Sequence, residues 1–283
     1  MQKHPYFTNS KVVVLAHRGG TVPTENTIEA FQLAIDAGAD IIETDVRATK
    51  DGIAVLFHDE LIERVVDWEY GSQYEEIFEE SPHKWDEFAN AINTIGKSKG
   101  PAVEEFTLSQ LKGFQLRGGT RVTTLAEALT KFPKMKFNID VKAKAAIPDL
   151  VATIEKLKAH DRVLVSSFSN SRRLLALSKF SKPVATSASA STVLKIWFFV
   201  KLGIPQSVIS NSLKNIGALQ IPRRLSFVKL DSKRFIHSVL ASGTQIHYWT
   251  INSPEEMLEL TRLGATGIVT DVPELAVRTL RKA

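Results

Sequence analysis

The chain has no cysteine among its 283 residues, which excludes disulfides and thiolate metal sites, zinc–cysteine centres among them. Long apolar runs are missing as well. The longest apolar patch, Ile196 to Val200, sits between Lys195 and Lys201 and is far too short to span a bilayer. The opening residues, Met1-Gln2-Lys3-His4-Pro5-Tyr6, lack the apolar core of a secretory signal, so the expectation is a cytoplasmic protein. No DNA- or RNA-binding module is visible, nor a dense Lys/Arg stripe interleaved with aromatics, and nucleic acid is not an expected partner. Internal repeats and low-complexity tracts are also absent, and nothing in the pattern speaks to oligomeric state.

Net charge is +5, unevenly spread. Residues 67–105 hold ten acidic residues against three lysines, so that segment carries −7 and the remaining chain +12. A basic body suits anionic phosphodiesters or an anionic membrane surface, or is simply a solvated exterior.

Strand-like and helix-like stretches alternate, which predicts a parallel sheet with crossover helices. Strands are expected near 12–16, 40–46, 137–141, 162–167, 183–187, 217–221, 245–251 and 267–270. Helices are expected over 27–37, 147–159, 169–180, 231–241 and 254–263, with Gly38, Gly243 and Gly264 as stop signals. Eight strands and a length of 283 residues predict one α/β domain over 1–283, a (β/α)8 barrel of the TIM type. The run 53–58 is a ninth strand. A two-residue turn cannot join parallel neighbours, so this run is assigned to a small hairpin built on the second strand. With Asp51-Gly52 as a type I′ turn, Lys50 would pair with Ile53 and Asp45 would lie opposite His58.

What stands at the strand ends is chemically informative. Val12-Val13-Val14-Leu15-Ala16 ends at His17-Arg18, Ile41-Ile42 runs into Glu43-x-Asp45, and Ala54-Val55-Leu56-Phe57 delivers His58. Barrel enzymes keep their active sites at such ends. Glu43 and Asp45 share one strand face, and two carboxylates beside an apolar run are costly unless paired or bound to a cation. Oxygen ligands of this kind suit Mg²⁺ or Ca²⁺. Two histidines, an arginine and a carboxylate pair together read as phosphate chemistry with a metal.

These blocks resemble the glycerophosphodiester phosphodiesterase family: His17-Arg18-Gly19, the loop Thr24-Glu25-Asn26-Thr27, Glu43-x-Asp45, Lys50-Asp51-Gly52 and His58-Asp59. The likeness continues in family order through Thr124-Leu125-Ala126-Glu127, Asn138-Ile139-Asp140-Val141-Lys142, Ser166-Ser167-Phe168, Trp249-Thr250-Ile251-Asn252 and Gly267-Ile268-Val269-Thr270-Asp271. The resemblance implies hydrolysis of glycerophosphodiesters to an alcohol and glycerol 3-phosphate, by water attack or through a cyclic phosphate. It implies His17 and His58 as catalytic, Arg18 and Lys142 as phosphate-binding, and Glu43, Asp45 and Asp140 as ligands of a divalent cation. Three departures stand out. Thr24 replaces the family's proline in the Pro-Glu-Asn-Thr loop, Asp140 replaces a glutamate, and residues 67–105 are an insertion longer than the family's usual link.

Each assignment has a plainer counterpart. His17 and His58 could be structural, Arg18 and Lys142 could be ion-pair partners, and Trp249 could be a core aromatic or line the pocket. Glu25 and Asn26 are read as ordering the first helix and its loop, Glu127 and Asp271 as structural. A lysophospholipase D-like enzyme acting on lysophospholipids is the first alternative function. A non-catalytic phosphodiester-binding barrel is the second, and the retained histidines and carboxylates argue against it. Finally, Trp197, Phe198 and Phe199 are consecutive, so a helix cannot turn all three inward. At least one is expected to be exposed or to line the site mouth, where it would suit an acyl chain or a membrane surface.

Overall fold

A computed structural model describes residues 4–7, 11–21, 24–67, 101–225 and 228–282. Its strands are β1 (Val13–Ala16), β2 (Ile41–Ala48), β3 (Ala54–Leu56), β4 (Lys136–Val141), β5 (Val163–Ser166), β6 (Ala185–Thr186), β7 (Ala218–Ile221), β8 (Arg224–Leu225), β9 (Val228–Lys229), β10 (Gln245–Tyr248) and β11 (Gly267–Thr270). Eight of them run parallel around a barrel in the order β1, β2, β4, β5, β6, β7, β10, β11 and back to β1. Between β6 and β7 closure rests on one bridge, Ser187 to Ala218, with the amides of Gly217 and Ala188 donating to Thr186 and Ala218 carbonyls. The barrel is the one that the alternating pattern predicts.

The strands are buried on both faces, so their sequences read as near-continuous apolar runs. Val14, Ile42 and Ile139 turn outward under the helices. Val13, Leu15, Ile41, Leu164 and Val269 turn inward, where Tyr6 and Phe7 pack against them. The five expected helices form as Ile28–Asp36, Ile147–Lys156, Asn170–Leu177, Lys233–Ala241 and Pro254–Leu263. Side chains of Thr27, Ser169, Ser232 and Ser253 cap four of their N-termini. Among the described residues Ala190–Lys201 also forms a helix, as do four further segments, and β8 pairs antiparallel with β9, which the sequence pattern did not mark. Among the described residues no helix is long and apolar enough to cross a membrane.

The hairpin on β2 forms with a register one residue from the expected one. Val46 pairs with Leu56 and Ala48 with Ala54, and the loop is the three residues Lys50-Asp51-Gly52. Thr49 N–H donates to Ile53 O at 3.0 Å, while Gly52 at φ 82° takes the left-handed position that such a loop requires. Asp45 therefore faces Phe57, whose amide donates to Asp45 O at 3.0 Å. His58 lies one residue further on, where the chain has already left the strand.

Of the expected insertion over 67–105, residues 68–100 lie outside the described residues. Its flanks are joined, with Leu61 bridging Ala102 and Val66 bridging Leu116. Val103 and Phe106 are buried with Val55, Phe57, Ile62 and Val66 in a second core at the barrel rim. Within residues 101–105, Val103 thus packs with the body of the protein.

Candidate active site

A cavity of about 320 Å³ opens at the C-terminal ends of the barrel strands. His17, Arg18, Glu43, Asp45, His58, Asp140, Lys142 and Trp249, the residues singled out from the sequence, all line it. Position follows from topology. β2 and β4 are neighbours in a register that sets Asp45 beside Asp140 and Glu43 beside Asn138, so three carboxylates from two strands share one wall. All three are buried.

The turn after β1 brings in the first histidine. Arg18 adopts φ 56°, and its amide donates to Glu43 Oε2 at 3.1 Å. Gly19, at φ 83°, lies so close to the first helix that a Cβ would stand 2.6 Å from Phe31 Cδ1, so glycine is the residue this turn admits. His17 Nδ1 meets Asp271 Oδ1 at 2.6 Å, and Asn252 donates to the other Asp271 oxygen at 2.9 Å. His58 Nδ1 meets Asp59 Oδ1 at 2.6 Å. Each histidine thus has one ring nitrogen engaged by a carboxylate, which fixes the ring and leaves the second nitrogen for chemistry.

Cations balance the carboxylates. Lys142 Nζ lies 3.0 Å from Asp45 and 2.7 Å from Asp140, and Arg18 Nε lies 3.3 Å from Asp45. Arg18 also pairs with Glu25 at 3.0 Å; Glu25 in turn pairs with Arg64 at 2.6 Å, and Arg64 reaches Asp59. One arginine outside the motif therefore ties the loop that carries Arg18 to the carboxylate that holds His58. Asn26 completes the frame. Its Oδ1 accepts from Thr44 Oγ1 at 2.7 Å and its backbone amide donates to Arg18 O at 2.7 Å. Glu25 and Asn26 thus order the loop through their bonds to Arg18 and Thr44.

The electrostatics follow from burial. Burial, reinforced by Asp45, pushes Glu43 up to about 8, although the Lys142 charge pulls it down. Burial lowers Lys142, but Asp45 and Asp140 more than offset that and its proton affinity is raised overall. The same opposition operates at His17, where the bond to Asp271 and the charge on Glu43 outweigh desolvation and raise the imidazole above its ordinary value. Asp271 lies below the usual carboxylate range because His17 and Asn252 bond it despite burial. Among the described residues no three His, Asp or Glu side chains stand close enough together to cage an ion, and Lys142 bridges Asp45 and Asp140. The donor chemistry nevertheless suits a hard cation. All three acids offer oxygen, and the rise of Glu43 to about 8 shows that the two basic side chains leave its ionised form poorly compensated, so a cation beside it would favour ionisation.

Three residues that hold the site have no such role in the sequence reading: Asp271 and Asp59, which lie within the motif blocks as structural or without a role, and Arg64, which lies outside them. Asp59 could have been found as the carboxylate next to His58; Asp271 is 254 residues from His17 and only barrel closure brings them together. Trp249 lies half-buried on the cavity wall with Phe168 edge-on at 5.9 Å, and Phe168 in turn stands 5.4 Å from Lys142 Nζ. None of Trp197, Phe198 and Phe199 lines the cavity. Trp197 and Phe199 pack against the core and Phe198 is exposed.

Known proteins resemble this chain. The chain is 33% identical over 266 residues to the Mycobacterium tuberculosis protein named "Probable glycerophosphodiester phosphodiesterase 2", covering 93% of this chain and 88% of that one. A human lysophospholipase D is 26% identical over 281 residues, covering 92% and 83%. The solved structure of a phosphodiesterase from Oleispira antarctica, in complex with the product sn-glycerol-3-phosphate, superposes with a TM-score of 0.69 at 22% identity over 95% of this chain and 96% of that one. Residues 17–275, which span every side chain of the cavity, match the glycerophosphoryl diester phosphodiesterase family, and the chain belongs to it.

Proposed function

We propose that this enzyme hydrolyses glycerophosphodiesters to glycerol 3-phosphate and an alcohol by cation-assisted chemistry with two histidines as acid and base. One observation carries the reading: two histidines, each oriented by its own carboxylate, share a cavity with three buried acids and two cations. Hydrolysis adds water to phosphorus and breaks the bond to the alcohol oxygen. One histidine takes the water proton and the other gives a proton to the departing oxygen. Arg18 and Lys142 are the cations available to the phosphate as charge builds on its oxygens. Glu43, Asp45 and Asp140 would hold Mg²⁺ or Ca²⁺, which supplies further positive charge at the phosphate when bound. The product named in the Oleispira antarctica structure is the one this reaction releases.

A second substrate class, the lysophospholipids, is favoured by the far wall of the cavity. There Ala188, Val193, Ile221, Pro222, Leu225 and Leu230 form an apolar limb, while the acids and histidines lie on the other side. A glycerophosphodiester without an acyl chain has nothing apolar to place there. The human lysophospholipase D relative points the same way.

His17→Ala and His58→Ala should each lower turnover by about 10² to 10⁴ with folding intact. A leaving group of low pKa, such as p-nitrophenol, should partly rescue only the variant that has lost the acid; equal rescue of both, or of neither, would contradict a division of labour. Asp271→Asn removes a carboxylate that raises His17, leaving Glu43 alone to oppose desolvation and Arg18, which lower it. The His17 limb of the pH–rate profile should therefore move to lower pH, and an unmoved limb would detach Asp271 from the histidine. Leu225→Asp, a change at a half-exposed wall position, should cut turnover of lysophosphatidylcholine about tenfold while sparing glycerophosphocholine. Equal loss on both substrates would return the apolar limb to a structural role.

A further inference from the structure

Residues 162–230 contain eleven lysines and arginines and not one aspartate or glutamate. They build one side of the barrel, β5 to β9 with the helices Asn170–Leu177, Ala190–Lys201 and Gln206–Ser212. Apolar exposure is concentrated on the same side. Of the eight large apolar side chains most exposed among the described residues, seven lie in this stretch and only Leu33 lies elsewhere. We propose that this side is a docking face for an anionic lipid surface, reaching from the mouth of the cavity down the helix Ala190–Lys201.

The helix gives the face its form. Ala190, Leu194, Phe198 and Leu202 follow one another at four-residue spacing along one side of it, and Leu194, Phe198 and Leu202 are 41%, 54% and 61% exposed. The buried side is different, made of Val193, Ile196 and Val200. Lys195 and Lys201 border the exposed stripe with their ammonium groups over the rings of Phe199 and Trp197, at 5.3 and 5.7 Å. An apolar stripe edged by lysines whose stems lie along aromatic rings is the pattern of a helix resting in a lipid interface.

The stripe also leads somewhere. Ala190 lines the cavity, and Phe168 and Leu225, 58% and 45% exposed, do so as well. A lipid leaving a bilayer against this face would meet an apolar path to the apolar limb of the site. Charge selects the occupant. Arg223 is already paired with Asp231, Glu256 and Glu259 and Arg173 is buried, so the cations at the stripe are Lys195 and Lys201. An isologous contact with a second copy of the chain would bring these lysines toward their own copies, and nucleic acid would leave Leu194, Phe198 and Leu202 without an apolar partner. An anionic bilayer satisfies both the cations and the apolar side chains.

Docking is independent of the catalytic reading, so its test does not require turnover. The purified full chain is sedimented with vesicles of phosphatidylcholine and with vesicles that also contain phosphatidylglycerol. Two variants are compared, Lys195→Glu with Lys201→Glu, and Leu194→Ser with Phe198→Ser and Leu202→Ser. The anionic vesicles should bind the wild-type chain at least about tenfold more tightly than the neutral ones, with binding that weakens as salt is added. Each variant should weaken that binding about tenfold or more while leaving turnover of soluble glycerophosphocholine unchanged. If the apolar variant fails to fold, as judged by circular dichroism, the charge variant alone decides. No vesicle binding, equal binding to both compositions, or binding untouched by the variants would overturn the proposal. A dimer abolished by the apolar changes, with no vesicle binding, would overturn it in favour of self-association.

Discussion

Three carboxylates buried side by side at the end of a barrel are expensive, and the geometry around them is arranged to hold that charge. Glu43 and Asp45 come from β2 and Asp140 from the neighbouring β4, in a register that sets Asp45 beside Asp140. Taking such groups out of water costs several kcal/mol each unless cations or donors answer them. Lys142 spans two of them, Arg18 reaches Asp45 with its side chain and Glu43 with its backbone amide, and Asn26 fixes the loop above. The compensation stops short of Glu43, which is pushed up to about 8. Its ionised form is thus the poorly compensated one, and a cation beside it would favour ionisation.

The rest of the site is organised around this cluster. The tight turn that presents His17 is held by the hydrogen bond from Arg18 to Glu43, and the position of Arg18 is in turn fixed through Glu25 and Arg64 to Asp59, the carboxylate of His58. The two histidines are thus tied, through different partners, to one frame of charges. Opposite that frame the cavity is apolar, so a single volume has one wall suited to a phosphodiester and another suited to hydrocarbon.

Much of this was legible in the sequence because three barrel strands are apolar runs that lead into candidate site residues: Leu15-Ala16 before His17, Ile41-Ile42 before Glu43, Ile139 before Asp140. The eight strands and the cavity residues follow from that alternation and from the order of the motifs. Register within the hairpin did not follow. Asp51-Gly52 fits a two-residue turn as a dipeptide, yet Gly52 closes a three-residue loop, and no local signal separates the two. Asp271 escaped for a different reason, since its contact with His17 exists only once β11 closes on β1. Consecutive Trp197, Phe198 and Phe199 show that one must be exposed but not which, and packing settles that it is Phe198. The insertion was visible as a change of charge, and Val103 joins the rim because it and Phe106 find an apolar core there.

The claim on which the account turns is that Glu43, Asp45 and Asp140 form a cation site. Calorimetric titration of Mg²⁺ and of Ca²⁺ into chelator-treated protein tests it directly, with elemental analysis confirming that the starting protein is metal-free. The account predicts saturable binding of one ion per chain, lost in Glu43→Gln and Asp45→Asn, retained in Asp140→Glu, and accompanied by activity that chelation removes and the ion restores. Absence of binding in the wild-type chain, with full turnover in excess chelator, would contradict it.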